Sequence, residues 1–308
     1  LDDYVPAGRF WVRSPRAGEF RVGDNVVVYR PSTREWISDL KMDQIPPRAD
    51  GLPITQWEPG RFDTYAERVI TLIKGDTLHF ENPIVMSLDR KYGGGCVLRY
   101  SYADRIEECG VENLRFDSDY TGPEDENHGW NAVAVKVAAH CWVRNVTSLH
   151  FGMGLVTMDQ YAKNISVLDC TCLEPVSTLA GSRRYSFHIS QGQLCLVKDC
   201  TSEDARHDYA TGSLNCGPNV FTSCRAKRPH ADIGPHQRWN TGTLYDCVIS
   251  DGEICVQDRS NYGSGQGWAA GNNVLWNCSG SMVIVQSPWV SAYNYSVAVS
   301  HTHLTLPT

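Results

Sequence analysis

No run of 18 apolar residues occurs in the 308-residue chain, so no apolar helix long enough to span a membrane is encoded. Basic residues are scarce: 28 Lys and Arg against 35 Asp and Glu leave a net charge of −7. That deficit argues against a nucleic-acid partner, because no cationic excess exists to neutralise phosphates. It does not exclude an acidic polysaccharide, since a local basic cleft can sit on an acidic protein. C-x-x-C is missing, and Cys170-Thr-Cys172 matches no common zinc spacing, so no metal site is expected. Bound Ca²⁺ stays possible but is not signalled, because no acidic cluster is dense enough, and no other cofactor is expected. The chain opens at Leu1 without a methionine or signal peptide, which reads as a processed or trimmed form.

Cysteine, by contrast, is abundant: there are 12. Their contexts repeat. Val-Leu-Asp-Cys170, Val-Lys-Asp-Cys200, Phe-Thr-Ser-Cys224, Leu-Tyr-Asp-Cys247 and Leu-Trp-Asn-Cys278 follow one another at intervals of 30, 24, 23 and 31 residues. Each closes a short apolar strand, often led by Gly or Asn. One strand cluster per 20–30 residues is the signature of a stacked solenoid, and the all-β reading is a right-handed parallel β-helix. Equivalent positions in such a stack lie roughly 4.8 Å apart, so inward residues must be compact and apolar. Cysteine suits that role as a small buried hydrophobe, and the five are read as an internal ladder rather than as disulfides or metal ligands. Val111-Glu-Asn-Leu-Arg-Phe116 and Val143-Arg-Asn-Val-Thr-Ser148 fit as earlier coils. The coils are expected over 93–298.

Residues 1–92 read differently. Phe20 to Tyr29 is strand–turn–strand, and Ser32-Thr-Arg-Glu35 is a capping box leading a short helix with Trp36, Ile37 and Leu40 on one face. Glu67–Ile73 and Thr77–Glu81 form a hairpin across Lys74-Gly75-Asp76. A small antiparallel module is expected, packed on the first coils and capping the apolar end of the stack. Residues 299–308 break the repeat. With one residue changed, they resemble the translation of a transposon sequencing adapter, and are expected to be a non-native tail that follows an incomplete solenoid. The sequons at Asn145, Asn164, Asn277 and Asn294 are read as turn asparagines.

Polar density rises sharply after each cysteine. The segments are Arg183-Arg184-Tyr185-Ser-Phe-His188, Arg206-His207-Asp208-Tyr209, His230-Ala-Asp232-Ile-Gly-Pro-His236-Gln-Arg238-Trp239 and Gln257-Asp258-Arg259-Ser-Asn-Tyr262. Stacking aligns them into one groove roughly 15–20 Å long. Tyr185, Tyr209, Trp239, Tyr262 and Trp268 are candidate stacking surfaces for sugar rings. Two reactions fit. β-Elimination on a uronate polymer needs a cation at the carboxylate, for which Arg184, Arg206, Arg238 and Arg259 are candidates. It also needs a base (His207, His230 or His236) and a proton donor (Tyr185 or Tyr209). Hydrolysis would instead pair carboxylates from Asp208, Asp232 and Asp258. The excess of Arg and His favours the lyase, and His188 and Tyr262 complete the expected binding face. A non-catalytic carbohydrate-binding solenoid is the third reading. The turn Asp125-Glu126-Asn-His128-Gly-Trp130 is weighed evenly between joining catalysis and closing a coil.

Seven segments carry a resemblance: Asp125–Trp130, Gly181-Ser-Arg-Arg-Tyr185, Ala205-Arg-His-Asp208, Gly217-Pro-Asn-Val-Phe221, His230-Ala-Asp-Ile-Gly-Pro-His236, Thr241-Gly-Thr-Leu-Tyr-Asp246 and Asn261-Tyr-Gly-Ser-Gly-Gln-Gly-Trp268. In these the chain resembles the pectate-lyase-like superfamily of right-handed β-helix proteins, and more closely a poorly characterised bacterial group known from metagenomes. The resemblance implies polysaccharide chemistry by a secreted or periplasmic monomer, and brings no assigned reaction. The pectate lyase motifs themselves are not recognisable, so the resemblance implies neither pectate nor calcium.

Overall fold

The computed structural model describes residues 1–305, with side chains described through residue 300. It is a right-handed parallel β-helix. One ladder of paired residues shows this directly: Gly110, Trp142, Ser166, Leu196, Val220, Leu244, Val274 and Tyr295 follow each other in parallel register, one per coil. A second sheet stacks Asn131–Val135, Gly154–Met158, Tyr185–Ile189, His207–Thr211 and Gly234–Pro235. The long strand Trp142–Leu149 turns a corner, pairing with Ser166–Leu168 through its first half and with Thr171–Leu173 through its second. The first half belongs to the ladder above and the second half begins the third face.

Alternation fixes which side chains face inward. Next to the ladder, Val143, Val167, Val197, Phe221, Tyr245 and Leu275 are all buried in one core. Phe187 stacks on Tyr209 at 5.3 Å and Phe221 on Tyr245 at 5.1 Å, so aromatic rungs repeat through the middle coils.

The corner between the first and third faces explains the cysteine motif. Asn113, Asn145, Asp169, Asp199, Ser223, Cys247 and Asn277 occupy left-handed backbone there, with φ between 50° and 58°. Short polar side chains tolerate that conformation best. The next residue points inward: Val146, Cys170, Cys200, Cys224, Val248 and Cys278, each about 1 % exposed or less. Cys247 is therefore off the ladder by one position. It sits half-buried at the corner itself, and Val248 takes the inward place. Corrected for this, the intervals are 30, 24, 24 and 30 residues. Three of the four sequon asparagines (Asn145, Asn164 and Asn277) hold left-handed turns, whereas Asn294 is buried in a hydrogen-bonded network with Asn273.

The N-terminal module is a five-stranded antiparallel sheet that includes the expected hairpin, Thr64–Lys74 with Thr77–Phe80. Its edge strand is Cys96–Arg99, and the first parallel pairing begins at Ile106, so the two parts meet near residue 100 rather than 92. The short helix Arg34–Asp39 is capped by Thr33, which accepts from the Trp36 amide at 3.3 Å. Ser32, expected in that role, instead bonds Asp63. The module does not close the end of the stack. It lies along the flank, because its exposed apolar surface matches residues from many coils. Trp36, Met42, Trp57 and Phe62 pack with Trp239, Trp268 and Ala292. Arg68 bonds the Gly217 carbonyl at 2.9 Å, and Gln193 ties the Tyr65 carbonyl at 2.8 Å. The backbone continues at Ser300–Thr305 as a strand parallel to Ser279–Val285. Residues 306–308 of the tail expected to be non-native lie outside the described residues.

Candidate functional site

Coil length places the site. The two 24-residue coils form a floor. The 30-residue coils on either side carry longer loops, 174–184 and 257–267, that stand as walls. Between them is a cleft of about 460 Å³ lined by Gly181 and Ser182 on one side, by Tyr262, Ser264 and Gln266 on the other, and by Tyr185, Arg206 and His236 beneath.

At its centre the Tyr185 hydroxyl lies 3.0 Å from His236 Nε2, and Arg206 Nη1 donates to the same hydroxyl at 3.3 Å. Gln266 Nε2 lies 3.4 Å from His236 Nε2, and its Oε1 accepts from Arg259 Nε at 2.7 Å. Arg259 in turn forms a buried ion pair with Asp232. One layer deeper, the His207 ring packs edge-on to His236 at 4.6 Å and beside Tyr185 at 4.9 Å, while His207 Nδ1 bonds the Asp232 carbonyl at 2.6 Å. His188 adds a fourth ring, 4.9 Å from Tyr185.

Burial sets the protonation. Desolvation holds His207 and His188 down at about 4. It holds His236 further below the ordinary imidazole value, reinforced by the neighbouring His207, Arg259 and Arg206. Desolvation raises the Tyr185 phenol, so this hydroxyl keeps its proton at neutral pH. The cleft thus presents a neutral imidazole bonded to a neutral phenol. Arg206 has no carboxylate partner among the described residues. Neither has Arg238, which bonds Gln237 and Ser264. Arg184 is satisfied by the Ser177 carbonyl at 2.6 Å, away from this cluster.

Several expected residues stand elsewhere. Asp208 turns into the solenoid beside Ser202, and neither carboxyl oxygen has a hydrogen bond. Buried between two sheets, it cannot touch a polysaccharide. Tyr209 also faces the interior, its hydroxyl bonding the Cys200 and Arg225 carbonyls at 2.8 and 2.9 Å. Trp239 and Trp268 are core residues under the N-terminal module, Trp239 Nε1 meeting Met86 Sδ at 3.0 Å, so neither offers a stacking face. His230 is exposed on a turn, away from the ring contacts of the cluster. Asp258 caps its own turn, accepting from the Ser260 amide at 2.8 Å. Asp232 neutralises Arg259. Tyr262 is 57 % exposed at the rim and is free to meet a ligand. His128 bonds Ser118 and the Val176 carbonyl, and Glu126 pairs with Arg183, so that turn is a brace between coils.

Two contributors escaped the sequence. Gln266 lies in the run Gly263-Ser-Gly-Gln-Gly267, which reads as loop punctuation. Arg48 comes from the module: it reaches the cleft rim, donates to the Gly263 carbonyl at 2.7 Å and pairs with Asp50. Nothing local in the sequence marks it. Among the described residues, no group of three His, Cys, Asp or Glu is placed to hold a metal ion.

No protein-family model matches the chain, and no curated protein matches it in sequence. Among solved structures it is similar to the tailspike protein gp49 from Pseudomonas phage LKA1, at 8 % identity and a TM-score of 0.35. It is also similar to the tailspike gp61 of Pseudomonas phage phi297, at 11 % identity and a TM-score of 0.39. The alignments cover 98 % and 97 % of this chain but 60 % and 62 % of those proteins. Likeness at this level adds nothing to the β-helix read from the strand registers, and carries no chemistry with it.

Proposed function

We propose that the cleft binds an acidic, uronate-containing polysaccharide and cleaves it by β-elimination. The observation that carries this reading is the hydrogen-bonded pair of Tyr185 and neutral His236, set beside Arg206, which has no carboxylate partner among the described residues. Arg206 holds the uronate carboxylate and stabilises the enolate that develops when C5 loses its proton. His236, kept neutral by its burial, takes that proton at Nε2 as the Tyr185 hydroxyl turns from it to the glycosidic oxygen. Tyr185 gives its proton to the glycosidic oxygen at C4. The C4–O bond breaks as the C4=C5 double bond forms. The imidazolium then returns its proton to the phenolate along the hydrogen bond they already share, and both groups are reset.

Acid and base are bonded to each other, so they act from one face of the sugar. The elimination is then syn, which fits uronates whose C5 hydrogen and C4 oxygen lie on the same side, as in D-glucuronate and D-mannuronate. Hydrolysis by paired carboxylates is disfavoured, because Asp208 is sequestered, Asp232 is bound to Arg259, and Asp258 is held in its turn. The experiment is incubation with uronate polymers while following ultraviolet absorbance of the unsaturated product alongside reducing ends. Absorbance rising with reducing ends supports the lyase. Reducing ends alone would indicate hydrolysis, and binding with neither would indicate a carbohydrate-binding solenoid; either result overturns the proposal.

A further inference from the structure

A second cleft, of about 480 Å³, lies along the seam between the N-terminal module and the early coils. Tyr65, Tyr102 and Tyr161 line it and are 52 %, 37 % and 41 % exposed. The ring of Tyr102, on the connection between the two parts, meets that of Tyr161, on a coil, at 4.9 Å. Tyr161 is held with φ at +63°, a backbone state that is costly for a bulky residue and is not repaid by burial. The acids here are already engaged: Glu67 pairs with Arg105 and Lys163, and Asp63 accepts from the Tyr29 hydroxyl at 2.8 Å and from Ser32. What the cleft presents is flat aromatic surface next to the exposed side chains of Gln160 and Gln191. Aromatic faces with adjacent amides suit the C–H face and hydroxyls of a sugar ring.

This cleft is linked to the His236 site through shared and hydrogen-bonded lining residues. Leu214 lines both it and a smaller cleft of about 260 Å³ that ends at Arg238. Arg238 bonds Gln237 and Ser264, which belong to the lining of the His236 cleft. Gln160, Gln191, Leu214 and Gln237 follow strands of successive coils, so the path covers three coil steps, roughly 15 Å.

We infer that the tyrosine cleft is a distal subsite that grips the same polysaccharide several sugars away from the point of cleavage. The inference rests on the polysaccharide reading of the His236 site but not on its reaction. The test is calorimetric binding of size-graded glucuronate and mannuronate oligomers to His236→Gln, with and without Tyr102→Ala and Tyr161→Ala. The tyrosines intact, affinity should climb at least tenfold between the shortest oligomers that fill the His236 cleft and those long enough to reach the seam. With both alanines that gain should vanish, and Tyr161→Phe should restore it to a Tyr102-intact protein. An unchanged length dependence in the double alanine variant overturns the distal subsite and leaves the lyase reading intact. A length dependence that the alanines remove, when the wild-type protein forms no unsaturated product from the same oligomers, upholds the subsite and overturns the lyase. Failure to bind any oligomer overturns both.

Discussion

Asp208 offers the sharpest test of the inward-facing geometry. Its carboxyl is fully buried with neither oxygen hydrogen-bonded, and the neighbouring Ser202 donates its hydroxyl to Ser186 at 2.7 Å. Desolvation pushes the carboxyl from an ordinary value near 3.8 up to about 7. Between those two values the folded protein holds a proton that the unfolded chain has released. Stability from this group is therefore full below about pH 4 and is lost as pH rises through about 7. At about 1.4 kcal/mol per pH unit, the loss across that window totals about 4 kcal/mol. For a chain of this size that corresponds to roughly 6 °C in Tm. Asp208→Asn removes the titration, so its thermal midpoint relative to wild type should rise by about that amount between about pH 3.5 and pH 8. The neutral histidines His188 and His207 titrate in the opposite sense, losing stability as pH falls below about 6.5, but they are common to both proteins and cancel in the difference. Parallel Tm–pH curves for the two proteins would refute the placement of Asp208 inside the solenoid.

The other predictions concern the site and the thiols. His236→Gln and Tyr185→Phe should each lower kcat by about 10²–10⁴-fold with little change in oligosaccharide binding, measured by initial rates and calorimetry. The acid limb of the wild-type rate profile should lie well below the usual imidazole range, because burial keeps His236 neutral there; a limb between pH 6 and 7 would contradict this. Asp232→Asn leaves Arg259 buried without a counter-charge and should destabilise the fold by about 3–5 kcal/mol in chemical denaturation, while adding Arg259→Met should recover most of it. Under native conditions a thiol reagent should modify only Cys109 readily, with Cys96 and Cys247 slower. The nine buried cysteines should react only on unfolding.

Much of the fold was legible because a solenoid writes its period into the sequence. The Cys-terminated strands gave the coil phase to within one residue, failing only at Cys247, where a cysteine happens to occupy the corner and Val248 the interior. The site was legible to the extent that its residues share that period: Tyr185, Arg206, His207, His236 and Arg259 do meet. Alternation along a strand could not say which polar residue turns inward. Asp208 follows His207 in the sequence but faces the opposite side of the wall, and nothing about an aspartate announces a buried position. Trp239 was misread because its covering surface, Trp36 and Met86, comes from a module about 150–200 residues away in sequence. The same distance hid Arg48. The flank packing of that module had no local signature, since an end cap and a side brace bury the same kind of apolar face.

The alternation of long and short coils has a consequence for how this molecule can be altered. Adding a whole coil adds one rung and lengthens the path offered to a polymer by a single strand spacing. Adding a few residues inside a coil leaves the path length untouched and only raises a wall beside it. Reach and enclosure are thus written at different scales of the same sequence. Either can be redrawn without disturbing the other.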